Sequence, residues 1–215
     1  MKRMSEAVAQ EAAEYLAQHD DVLRPVIAEK GLCTIRPNTD YYQALVDAII
    51  SQQLSVYAAR AIEQRFRDLF GGVFPAAEQI LTTDADTLRG LGFSRAKAMY
   101  VLDLARHIAD GRVRFDHMDG LSNDEVIKEL TTVKGIGEWT AHMFLMFSMG
   151  RTDVLPVGDL GIRNGIRKLY GEAYGYTDAP TPAQITELAA ARGWHPFESV
   201  ASWYVWQSLN NAPAV

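Results

Sequence analysis

Cysteine is almost missing from this chain: among 215 residues only Cys33 carries a thiol. A single cysteine rules out a disulfide framework and leaves no set of thiolates to hold an iron–sulfur cluster. The setting it predicts is reducing and cytoplasmic. Long apolar runs are also missing. No stretch reaches the roughly 20 residues that a membrane-spanning helix needs, so no membrane partner is expected. The opening MKRMSEAVAQEAAEY turns acidic too early for a secretory leader. Strand-like alternation of useful length does not occur, and neither do internal repeats or low-complexity tracts. Positive charge is scarce: 21 Lys and Arg against 27 Asp and Glu leave a net charge of −6. That balance counts against a protein that coats nucleic acid through many phosphate contacts.

What is present is a chain that is 48% hydrophobic, enough for one or two small cores. Acidic residues crowd the start (Glu6, Glu11, Glu14, Asp20, Asp21), while Arg89, Arg95, Lys97, Arg106, Arg112 and Arg114 gather in the middle. Helical spacing recurs throughout. Ser5 to about Glu29 reads as helical with a break at Pro25. Asp40, with Gln43 three residues on, caps a helix carrying Leu45, Ala48 and Ile49. The polar Ser51-Gln52-Gln53-Leu54-Ser55 separates it from a helix that Gly71-Gly72 ends. Thr83 opens a short helix and Ser94 a longer one. After Ile162, Ile166 and Leu169, Gly171 should stop another. Thr181-Pro182-Ala183-Gln184 combines a capping box with proline at the first helical position. The class is all-α. The expected layout is a helical subdomain over 40–149 and a second built from 1–39 and 150–215, with a cleft between them.

The most informative stretch runs from Leu130 to Arg163. Ser122-Asn123-Asp124-Glu125 reads as a capping box opening a helix that reaches Leu130. Val133-Lys134-Gly135-Ile136-Gly137 then forms a short hairpin, followed by a helix from Trp139 to Met149 that is apolar on nearly every side and should be buried. Two glycines let bare backbone N–H groups approach a ligand at a helix N-terminus, where donors are unsatisfied and the dipole is positive. A phosphate suits such a corner, and the DNA backbone is the natural source; a plain helix–turn–helix corner is the alternative. Further on, Asp159 stands alone before another helix, with Gly158 and Gly161 beside it leaving room for a sugar-phosphate chain. It reads either as an N-cap or as a carboxylate held for chemistry, and the two roles can coexist.

The hairpin and Asp159, in that order, resemble the helix-hairpin-helix DNA glycosylase superfamily, and within it the 3-methyladenine DNA glycosylase II type. The resemblance covers roughly 42–207. It implies a protein that flips a damaged base out of double-stranded DNA and hydrolyses its N-glycosidic bond, acting as a monomer, at the nucleoid in a prokaryote. Asp159 would be the catalytic carboxylate. Trp139, Trp206, Met143 and Trp203 would form the base pocket, Met143 standing where the pattern has tyrosine. Lys134, Gly135, Gly137, Thr140, Arg95 and Lys97 would bind the DNA backbone. Gln53, with Leu54 beside it, would be the wedge that fills the vacated space, where a polar link between helices is the other reading. Backbone carbonyls of Thr131, Val133 and Ile136 would hold a structural monovalent cation, Na or K, with no cofactor required. Bifunctional members carry a Schiff-base lysine two positions after the second hairpin glycine; here that position is Trp139, which implies a monofunctional enzyme. The pattern's extra N-terminal β domain is not expected in this chain. Two other functions remain open: the same fold acting on a deaminated or mismatched base, and a non-catalytic helix-hairpin-helix DNA-binding module.

Overall fold

The computed structural model describes residues 2–209, and no strand occurs among them; the one β-type pairing is an isolated bridge between Arg3 and Arg151. Twelve α-helices run through the described residues. Two come first, α1 (Glu6–His19) and α2 (Leu23–Lys30). Seven follow: α3 (Tyr41–Ser51), α4 (Val56–Leu69), α5 (Ala77–Leu81), α6 (Ala85–Gly90), α7 (Arg95–Ala109), α8 (Asn123–Leu130) and α9 (Glu138–Met143). The last three are α10 (Leu160–Tyr174), α11 (Pro182–Ala191) and α12 (Glu198–Ser208). The chain divides into two units, one of residues 1–38 and 145–215, the other of 39–144. The division falls between Phe144 and Leu145, ahead of the expected Met149.

In the 39–144 unit, α7 is the central post, packed by α3, α5 and α6. Its Ala98, Val101, Leu104 and Ala105 are buried, as are Leu45 and Ile49 of α3, Ile62 and Phe66 of α4 and Leu88 of α6. Each buried Val, Leu, Ile or Phe side chain among these stabilises the fold by about 1.5–3 kcal/mol relative to exposure. In the other unit α12 is central. It is buried on every face from Ser199 to Trp206, and α1, α2 and α10 pack around it.

Local signals place most helix starts. The side chains of Asp40, Ser94, Ser122 and Thr181 each accept the backbone N–H three residues on, and the last two complete full capping boxes. Each cap contributes about 1 kcal/mol. Elsewhere the expectations need correction. Pro25 breaks nothing: it is the third residue of α2, where its missing N–H would have lacked a helical partner anyway. The break comes from Asp20, fully buried. Its Oδ1 accepts from the backbone N–H of Val22 (3.0 Å) and Leu23 (3.1 Å), and its Oδ2 from the Tyr170 hydroxyl (2.6 Å) and the Trp194 indole N–H (2.7 Å). Asp84, not Thr83, caps α6, accepting from Thr87 N at 2.7 Å. Gly171 does not stop α10, which runs on to a left-handed Gly175 with Tyr176 N–H returning to the Gly171 carbonyl at 2.9 Å. An added Cβ on Gly171 would lie 3.1 Å from that tyrosine's carbonyl oxygen, so packing against the returning chain explains the glycine. The helix expected over Trp139–Met149 is α9 followed by a π-helical turn, Phe144–Ser148.

Candidate active site

The hairpin lies wholly in the 39–144 unit, between α8 and α9. Val133 and Ile136 are buried and pin it, while Lys134 and Gly137 between and beyond them are exposed. Gly135 has φ +85°, and an added Cβ would fall on the Tyr100 ring, so this position requires glycine twice over. Gly137 differs. It is the N-cap of α9 with φ −93°, no side chain caps the helix there, and an added Cβ would meet no atom of the chain within 4 Å. The start of α9 therefore presents backbone donors to whatever approaches. Not every hairpin amide is offered this way. Lys134 N–H donates to Asp103 Oδ2 at 2.9 Å, and Ile136 N–H to the Val133 carbonyl at 3.1 Å.

Trp139 is 49% exposed, which corrects the expectation of a helix buried from its first turn. Met143, four residues on and half-buried, shares its face of α9. Thr140, expected to bind the DNA backbone, is buried. Arg95 is exposed on the first turn of α7. Lys97 is not a solvated base beside it. Its Nζ donates to the carbonyls of Ile50 (2.7 Å) and Gln52 (2.6 Å) where α3 ends, and burial pushes its pKa below the usual lysine value. Its charge is held at a helix C-terminus.

Gln53 has φ +56°, the one described non-glycine residue in the left-handed region. It is exposed, as are Leu54 (40%) and Tyr57 (85%) beside it. The loop is thus an exposed tip on a strained turn, more than a polar link.

In the other unit, Asp159 is the N-cap of α10. Its Oδ1 accepts Ile162 N–H at 2.8 Å and the Trp206 indole N–H at 2.8 Å. The cap and the held carboxylate are therefore the same group. Trp206 is buried, lies near-parallel to Phe147 with centroids 6.1 Å apart, and orients the carboxylate rather than offering an open face. Gly161 is glycine for that reason: an added Cβ would lie 2.9 Å from Trp206 Cδ1. Room for the indole, not for a sugar-phosphate chain, accounts for it. At Gly158 an added Cβ would meet nothing within 4 Å. Trp203 is buried with its ring edge-on to Tyr204.

Sequence reasoning missed Gln52, Tyr100, Asp103 and Phe147. A signal existed for two of them: Lys97, Tyr100 and Asp103 recur every third residue and make one stripe on α7. Gln52 and Phe147 carried none.

A glycine hairpin between two helices, with a helix-capping aspartate beyond it, defines a helix-hairpin-helix protein. The chain belongs to the HhH-GPD superfamily of base excision DNA repair proteins, whose model matches residues 46–191. YfjP of Bacillus subtilis is 34% identical over 174 residues, covering 78% of this chain; the chain spans 58% of that relative's length. The crystal structure of DNA-3-methyladenine glycosidase from Bacillus halodurans superposes with a TM-score of 0.83 at 36% identity, covering 97% of this chain and 92% of the other. That of Schizosaccharomyces pombe 3-methyladenine DNA glycosylase bound to abasic DNA does so with 0.77 at 33% identity, covering 95% and 99%.

Proposed function

We propose that this chain is a DNA-3-methyladenine glycosylase, removing alkylated purines from double-stranded DNA by hydrolysis of the N-glycosidic bond. The observation that carries the reading is the Asp159 carboxylate, held by a backbone amide and an indole N–H at a helix N-terminus. Departure of the base leaves positive charge on the sugar, and a preoriented anion stabilises that charge more than it stabilises the ground state. The carboxylate stands at the positive end of the α10 dipole. The hairpin supplies backbone donors for DNA phosphate, a contact that positions the duplex without reading sequence. Half-exposed Trp139 offers a ring face, and a cationic alkylated purine stacks well on indole.

Trp139 stands where a Schiff-base lysine would be needed, so water is the nucleophile and the strand is left intact. The carbonyls of Thr131, Val133 and Ile136 are oxygen donors of the kind that suits a monovalent cation, although Val133 already accepts one hydrogen bond. Such an ion would add positive charge beside a bound phosphate. Excision scored on duplexes with one defined lesion each tests the proposal. Free alkylpurine released by the wild type and lost in Asp159→Asn supports it. DNA binding without release of any base supports the non-catalytic module instead.

A further inference from the structure

Three DNA-facing segments assigned separately by sequence are wired together within the 39–144 unit. The Gln52 Nε2 amide donates to the Gly135 carbonyl of the hairpin at 2.9 Å, across 83 residues of chain. Lys97 Nζ holds the carbonyls on either side of Ser51, those of Ile50 and Gln52. Tyr100, one turn further along α7, packs on Gly135, and Asp103, one turn further still, takes the Lys134 N–H. A left-handed glutamine such as Gln53 persists only where its surroundings over-determine it, and these bonds do so from one side. Ser55 does so from the other, capping α4 by accepting Ala58 N–H at 3.3 Å. Between the two anchors stand the exposed Gln53 and Leu54, with the exposed Val56 and Tyr57 just beyond Ser55.

We propose that Gln52 is a positioning residue that locks the base-displacing loop onto the phosphate-gripping hairpin, with Lys97 as its brace, so that backbone binding drives base extrusion. This rests on the glycosylase reading above. Extruding a base consumes stacking and pairing energy, and a loop free to recoil would yield instead of displacing it. The carbonyl of Gly135 faces the loop, while the start of α9 two residues on, where no side chain caps the helix, is the part expected to meet phosphate. Force on one is transmitted to the other through a single glycine.

The test uses the full chain and two variants, Gln52→Ala and Gln52→Glu; the second keeps the shape but replaces the donor with an acceptor. Extrusion is read from 2-aminopurine fluorescence next to the lesion, which needs no chemistry, and excision from single-turnover base release. Loss of one hydrogen bond that tightens during extrusion lowers both signals on a paired lesion by about tenfold. Affinity for undamaged duplex stays within roughly twofold, because phosphate contacts are untouched. With the lesion in a single-nucleotide bulge, already unpaired and unstacked, both variants return to within about threefold of the wild type. Equal losses on paired and bulged DNA would mean that Gln52 only supports the fold, and no loss on paired DNA would mean that it does not position the loop; either overturns the proposal. A wild type that extrudes but releases no base would sink the glycosylase reading and leave this one standing.

Discussion

Replacing Asp159 by asparagine separates the two things that this side chain does. Its Oδ1 accepts from Ile162 N–H and from the Trp206 indole, both at 2.8 Å, and an asparagine oxygen can accept both. Asparagine caps helices about as well as aspartate, so the structural cost is the lost charge–dipole attraction, about 0.3–1 kcal/mol. That corresponds to a fall in Tm of roughly 1–4 °C for a chain of this size. The chemical cost is larger. A unit charge about 4 Å from the developing sugar cation is worth about 4 kcal/mol at an effective dielectric of about 20. Base release should therefore fall by about 10²–10³, while affinity for lesion DNA holds or rises. Single-turnover release beside a thermal melt measures both. A folded Asp159→Asn protein that kept its rate to within a few-fold would reduce Asp159 to a cap and refute the catalytic assignment.

The two hairpin glycines should part company: Gly137→Val, at φ −93° with open space around it, folds but binds every duplex more weakly, whereas Gly135→Ala, at φ +85° against Tyr100, loses thermal stability. Filter binding on lesion and intact duplexes, with melts alongside, checks the pair. Loss of affinity confined to lesion DNA in Gly137→Val would contradict a phosphate contact. Borohydride added during turnover should trap no protein–DNA adduct, since Trp139 replaces the lysine; an adduct abolished by Lys134→Ala would show otherwise. Burial, reinforced by Glu63, pushes the Asp47 pKa up to about 6, and its Oδ1 has no hydrogen-bond partner among the described residues. A raised carboxyl pKa stabilises the folded state at low pH and forfeits that contribution as pH rises through about 6. Asp47→Asn should therefore stabilise the protein at pH 7.5 by about 1–2 kcal/mol, solvent screening allowed for, with the gain shrinking towards pH 4. Urea melts at the two pH values measure it.

Features specified by neighbours in the chain were legible. Ser122, Ser94, Asp40 and Thr181 cap the helices their sequences announce, because a cap needs only a side chain and an amide three residues away. The hairpin was legible for the same reason. Misreadings came where a distant partner decides. Asp20 looked like one more surface acid, yet Tyr170 and Trp194 make it the buried group that ends α1. Gly161 looked like clearance for DNA, and its cause is an indole 45 residues away. Lys97 looked like a phosphate ligand because lysine on the first turn of a helix after a glycine turn usually faces outward. Its stem is long enough to reach carbonyls of another helix, and nothing local reports that reach. Asp159 shows the converse: the cap was legible, while the Trp206 bond that also holds the carboxylate was not visible.

The most direct measurement is chromatography of the base fraction after wild-type protein is incubated with a duplex alkylated to carry 3-methyladenine. The account predicts free 3-methyladenine, an abasic strand that breaks only on later alkali treatment, and release by Asp159→Asn slower by about 10²–10³. Tight binding of that duplex with every alkylated base still attached to its sugar would contradict it.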